Sequence, residues 1–151
     1  MAVGERSTVR REIRVKARPE TIFPLLTEAS KIVHWQGTSA EMEARPGGVF
    51  LIRYNSRDVA RGVFVEVVPD RRLVFTWGWE GSDALPPGSS TVEITLTPDG
   101  DATVVTLEHR DLPEAVRDKH AEGWGLYLSR LGIVAAGGMP GPDPNADAGT
   151  M

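Results

Sequence analysis

The chain of 151 residues contains no cysteine. That removes disulfides, thiolate metal sites and thiol nucleophiles in one step, and it fits a reducing compartment. No apolar run is long enough to span a bilayer, and the opening residues, MAVGERSTVRRE, hold no apolar stretch of the kind a secretory leader needs. The expectation is a cytoplasmic protein without a membrane partner. Basic runs are missing too: Arg10-Arg11 and Arg71-Arg72 are isolated pairs, read as solvated strand ends. With a net charge of -4, the chain lacks the local excess of Lys and Arg that nucleic-acid phosphates demand. His34, His109 and His120 are dispersed, without H-x-H or H-E-x-x-H spacing, so no metal site is signalled. G-x-S-x-G, P-loop and dinucleotide-binding fingerprints are absent, and Pro46-Gly47-Gly48 reads as a hairpin turn. No cofactor is expected.

What is present starts near the end. From Pro113 to Ala136, steps of three or four residues from Val116 reach His120, Trp124, Tyr127 and Leu128, Leu131, then Val134 and Ala135. This is an apolar stripe at helical period over about five turns, with Arg117, Asp118, Glu122 and Arg130 mostly off it. Pro113 suits a first turn, Glu114 suits the positive end of the helix dipole, and Gly137-Gly138 with Pro140 supplies a stop. No other stretch carries a long helical pattern, so any sheet must pack against this one.

The rest reads as strands. Val9, Ile13 and Val15 alternate with charged residues, Arg11 interrupting the apolar face. Pro19 opens a short helix that buries Ile22, Leu25 and Leu26, and SKIVHW makes a second helical turn. From Gln36 to Glu108, turn chemistry at Pro46-Gly47-Gly48, Asn55 to Asp58 and Pro69-Asp70 divides a series of antiparallel hairpins. Alternation places Phe50, Ile52 and Tyr54 on one face, Leu73, Phe75, Trp77 and Trp79 on another, then Val92, Ile94 and Leu96. The last strand offers two faces, of which Val105, Leu107 and His109 is taken as the inward one. Residues 1–8 read as a flexible start, 9–138 as one domain, and the Pro- and Gly-rich 139–151 as a disordered tail. The fold class is α+β: six to seven antiparallel strands in a curved sheet wrapped round the long C-terminal helix, with two short helices after the first strand.

The order of elements resembles the START-like superfamily, also called SRPBCC or Bet v 1-like. Within it the chain resembles stand-alone bacterial proteins related to the C-terminal domain of the Hsp90 ATPase activator. The carriers are Pro19-Glu20-Thr21-Ile22-Phe23, Trp35, Pro46-Gly47-Gly48-Val49-Phe50, Gly62 with Val63 and Glu66, and Leu73-Val74-Phe75-Thr76-Trp77. The last is His120-Ala121-Glu122-Gly123-Trp124, followed by Leu128 and Leu131. The resemblance implies a helix-grip fold with a hydrophobic cavity between helix and concave sheet. It also implies a structural role for the His-x-x-Gly-Trp motif.

Candidate ligand-binding residues are Trp77, Trp79, Trp124, Leu128, Phe50 and Phe75, with His109 as the polar group near the cavity rim. The expected occupant is a small apolar or aromatic molecule, such as a lipid or an aromatic metabolite. The alternative is a polyketide cyclase-like cavity enzyme using His109, His120 or a buried glutamate, Glu66 or Glu108, as acid or base; no catalytic set is assigned. Against that reading, each glutamate would face solvent or pair with Arg53 or Arg61. Gly123 and Gly125, costly inside a helix, are read as serving close helix-sheet packing, with a kink that opens the cavity as the alternative. A co-chaperone role ranks last, because a chain of this length has no room for the separate domain that carries the main Hsp90 contacts in the eukaryotic activator. A monomer or a homodimer is expected.

Overall fold

The computed structural model describes residues 6–146. Among these residues the chain forms seven strands and three helices. They run β1 (Arg6–Val15), α1 (Pro19–Thr27), α2 (Ala29–Ile32), β2 (Ser39–Met42), β3 (Val49–Arg53) and β4 (Val59–Val68). Then come β5 (Arg72–Trp77), β6 (Ser90–Asp99), β7 (Ala102–Pro113) and α3 (Glu114–Ala135). The strands make one curved antiparallel sheet in the order β1-β7-β6-β5-β4-β3-β2. All neighbours from β2 to β7 are sequence neighbours; only β1 is reached out of order, beside the last strand. No helix among the described residues is long and apolar enough to cross a membrane.

On the inward faces read for β3 and β5 to β7 every residue is buried except the half-buried Trp79, from Phe50 and Ile52 through Leu73, Phe75 and Trp77 to Val105, Leu107 and His109. All of these buried residues but His109 join Trp124, Leu128 and Leu131 of α3 in one apolar cluster. The stripe on α3 runs as its period requires, buried at its centre and half-buried towards both ends. Pro19 stands in the first turn of α1 and Pro113 caps α3, positions where a missing N–H costs nothing.

Two register shifts change which residues face inward. In β4 a shift lies between Phe64 and Glu66, so Phe64 is buried while Glu66 turns out to pair with Arg72 at 3.0 Å. Glu66 is thus neither a buried acid nor a partner of Arg53 or Arg61; those arginines bind Glu41 and Glu80. The second shift separates Ser7 from Val9, opposite Arg110 and Asp111 of β7. Asp111 takes φ 66°, a left-handed conformation that aspartate tolerates better than most residues. The extra residue lets both His109 and Leu112 point inward, each fully buried, where plain alternation would allow only one.

The chain ends also depart from the sequence reading. β1 begins at Arg6, which pairs with Pro113, so residues 6–8 belong to the sheet; residues 1–5 lie outside those described. After α3, residues 139–146 fold back over the helix instead of trailing free. Arg130, expected off the apolar stripe, is 7% exposed. Its Nε donates to the Trp35 carbonyl at 2.9 Å, and its Nη1 reaches the carbonyls of Pro140 and Pro142 at 3.4 and 3.2 Å. Asp143 then accepts from the Tyr127 hydroxyl at 2.8 Å and from the Gly37 N–H at 3.1 Å. Hydrogen bonding, not apolar period, fastens this segment, which is why its composition conceals it. Residues 147–151 lie outside those described.

Candidate functional site

Three walls enclose a pocket of about 470 Å³ that opens to solvent. The first is the sheet end at Tyr54 and Trp77. The second is the loop from Gly78 to Ser89, which contributes Trp79 and Leu85; the third is the first half of α3, with Val116, His120, Gly123 and Trp124. The loop returns on itself through Trp79 N–H to the Leu85 carbonyl at 2.8 Å. That return needs glycine at position 78, where a Cβ would stand 1.8 Å from the Pro86 oxygen. Leu85, the one large aliphatic residue of the loop, turns inward and is 1% exposed.

The lining is aromatic. Trp77 lies 5.3 Å from Trp124 and 5.5 Å from Trp79 between ring centroids, the second pair edge to face. Tyr54 bridges Trp79 and Tyr127 at 5.6 and 5.5 Å. Burial pushes the Tyr54 hydroxyl well above its ordinary pKa, and it donates to Gln36 Oε1 at 2.5 Å.

Both inner histidines are engaged, and their partners fix their tautomers. An indole N–H can only donate. Trp124 Nε1 donates to His109 Nδ1 at 3.0 Å, so the proton sits on Nε2, which donates to Ser90 Oγ at 2.8 Å. Ser90 passes its own proton to the Trp77 carbonyl at 2.8 Å. Likewise Trp79 Nε1 donates to His120 Nε2 at 3.0 Å, leaving Nδ1 to donate to the Val116 carbonyl at 2.8 Å. Desolvation, with His120 nearby, lowers the His109 pKa to about 3. Desolvation also lowers that of His120, against the helping backbone bond. Two neutral imidazoles, each with both nitrogens occupied, are poor acids and poor bases.

The expected site residues divide. Trp77, Trp79 and Trp124 line the pocket. Phe50 and Phe75 do not: they stack on each other at 4.0 Å deeper in the core. Leu128 lies one turn beyond Trp124 and does not line the pocket, and His109 sits behind Trp124, fully buried, not at the rim. Glu108 faces outward, held by Arg10 and Arg110, and His34 is exposed. Unforeseen lining comes from Tyr54, Tyr127, Leu85, Arg57, Lys119 and Asn145. The two tyrosines carried a signal, since each lies on a face already read as apolar. Arg57, Lys119 and Asn145 carried none.

Two further observations concern what the pocket leaves open. Trp77 Nε1 is the single buried side-chain polar atom among the described residues without a hydrogen-bond partner. At Gly123 an added Cβ would meet nothing within 4 Å, so close packing does not account for this glycine. Gly125 differs: there a Cβ would touch the Arg11 guanidinium at 3.6 Å, beside the bond from Arg11 Nε to the Ala121 carbonyl. Among the described residues no group of three or more His, Asp or Glu is placed to hold a metal ion.

Comparison with known proteins places this geometry. The family model of the activator of Hsp90 ATPase homolog 1-like protein matches residues 16–136. The solution structure of an AHSA1-like protein from Rhizobium etli is 49% identical, with a TM-score of 0.74, over 93% of this chain and 88% of that one. CalU16 from Micromonospora echinospora is 28% identical, TM-score 0.72, over 93% and 86% of the two chains. The Aha1 dimer from Colwellia psychrerythraea, 16% identical over 87% and 98%, shares the fold with a TM-score of 0.78. No curated protein matches the chain.

Proposed function

The chain belongs to the activator of Hsp90 ATPase homolog 1-like family, and from that premise we propose that it binds a small apolar or aromatic molecule in the pocket between the Gly78–Ser89 loop and α3. The observation that carries this reading is Gly123. Glycine inside a helix costs about 1 kcal/mol against alanine. Here no neighbour requires it, and its side of the helix faces the pocket. A side chain at that position would take up space that the aromatic wall otherwise leaves to a ligand. The three tryptophans and Tyr54 supply large, flat apolar area, which suits a flat or ring-bearing occupant. Acid–base chemistry of the cyclase kind has less support, since His109 and His120 each spend both nitrogens on protein partners.

The test is a thermal-shift and native-mass screen of the full chain against lipids and aromatic metabolites, run in parallel on Gly123→Leu. The expected result is a set of ligands that raise the melting temperature of the parent protein and bind one to one, with no effect on the variant. The variant itself should melt no lower, because leucine favours helix and its Cβ enters open space. A flat screen on the parent protein, or ligands that bind the plugged variant equally well, overturns the proposal.

A further inference from the structure

The floor of the pocket is aromatic and uncharged, but its mouth carries four charged residues, and their pairing is unequal. Of the two carboxylates, Glu80 is held by Arg61 at 2.5 Å, and Asp58 accepts from the Asn55 amide at 3.0 Å. The two cations, Arg57 from the β3–β4 turn and Lys119 from α3, make no side-chain hydrogen bond and no ion pair among the described residues. Elsewhere arginines that could find a carboxylate have mostly done so, as with Arg14, Arg53, Arg72 and Arg110. Because Arg61 offsets Glu80, Arg57 and Lys119 face Asp58 alone, which leaves the mouth with an excess of one positive charge on a chain of net charge -4, a contrast that favours anions at this point of the surface.

We propose that the pocket takes an amphiphilic anion: a flat apolar or aromatic body against Trp77, Trp79 and Trp124, with an acidic group at the mouth met by Arg57 and Lys119. This rests on the binding reading above and narrows it to a chemical class. The acid belongs at the mouth for a physical reason. The neutral histidines offer no counter-charge inside, and an unpaired anion there would lose its hydration without return. At the wet mouth the same group keeps part of its water and gains charge-assisted hydrogen bonds from a guanidinium and an ammonium.

Two fluorescent probes with the same aryl-amine body separate the two claims: 8-anilino-1-naphthalenesulfonate, an anion, and N-phenyl-1-naphthylamine, its neutral counterpart. Both are titrated into the folded full chain and into Arg57→Gln/Lys119→Gln, with Arg71→Gln as a surface control and Gly123→Leu as the plugged pocket. The double variant should bind the sulfonate about tenfold more weakly and the neutral probe within about twofold of the parent. Arg71→Gln should change neither, and Gly123→Leu should lose both. Added salt should weaken the sulfonate alone. If the double variant holds the sulfonate as tightly as the parent, the anionic class is wrong while the pocket stands on the neutral probe. Failure of both probes to bind the parent chain, or sulfonate binding that survives Gly123→Leu, overturns this inference at its base.

Discussion

The indole N–H of Trp124 donates to Nδ1 of His109 at 3.0 Å, and from this one contact a proton order runs across the sheet. His109 must then donate to Ser90, and Ser90 to the Trp77 carbonyl, so α3 is tied in turn to β7, β6 and β5. A positively charged His109 has no place in this order, since its Nδ1 would have to donate toward another donor. His109 acts here as a structural splice between helix and sheet.

Stability should fall as the pH drops below neutrality. The His109 pKa is about 3 in the folded protein and about 6.5 when unfolded. Below about 6.5 the unfolded chain takes up a proton that the native chain refuses. The stability present at pH 7 is therefore lost progressively down to about pH 3, at up to about 1.4 kcal/mol per pH unit. His120, lowered by the same cause, adds a loss of the same sign. Urea melts at pH 7 and pH 5 should show His109→Gln losing about 2 kcal/mol less than the parent protein over that interval. Equal losses would mean that His109 is protonated in the native state and the hydrogen-bond order is wrong.

Trp124 and Trp77 offer a matched comparison. Both are buried, and Phe in place of either removes the same atoms. Trp124→Phe strands the Nδ1 acceptor of His109, whereas Trp77→Phe deletes a donor that already lacks a partner. Leaving a buried group unsatisfied costs about 1–3 kcal/mol, so Trp124→Phe should be the worse variant by about 2 kcal/mol. Chemical denaturation of the pair measures this directly. Equal costs would show that area and volume alone decide, with the indole nitrogens indifferent.

The large elements were legible because each repeats one rule. Period two in Leu73-Phe75-Trp77 and Val92-Ile94-Leu96 names a face, and the spacing from Trp124 to Leu131 names a helical stripe. Position along a face is another matter. Alternation puts Phe50, Phe75 and Trp77 on the inside but says nothing of which lies at the open end, so the pocket came out one layer too deep. Register shifts are equally silent: one extra residue at Asp111 or near Glu66 leaves the local composition unchanged while reversing the faces beyond it. Arg130 was misread for a further reason. A buried guanidinium needs acceptors, and here they are main-chain carbonyls of Trp35, Pro140 and Pro142, which no side-chain pattern encodes.

Those carbonyls make the segment after α3 the last point of test. Its composition predicts that truncation after Gly138 is harmless; its hydrogen bonds predict otherwise. Truncation would strip both acceptors from Arg130 Nη1 and remove Asp143 from Tyr127 and from the Gly37 N–H. Ordering the segment opposes these bonds through lost backbone freedom, though Pro140, Pro142 and Pro144 reduce that cost by restricting the unfolded chain. The buried guanidinium tips the balance, since a charged donor left without acceptors costs more than a neutral one. The expected loss is about 1–3 kcal/mol, a fall of roughly 2–10 °C in Tm for a domain of this size. Arg130→Met then separates cause from coincidence. In the full chain it should cost stability, because the Trp35, Pro140 and Pro142 carbonyls lose their donor. In the truncated chain two of those carbonyls are already gone and the guanidinium is only partly satisfied, so the same substitution should cost less, by about 1 kcal/mol or more. Four thermal or urea melts complete the cycle. Additive effects, or a truncation that leaves Tm unchanged, would show that residues 139–146 do not support Arg130 in solution.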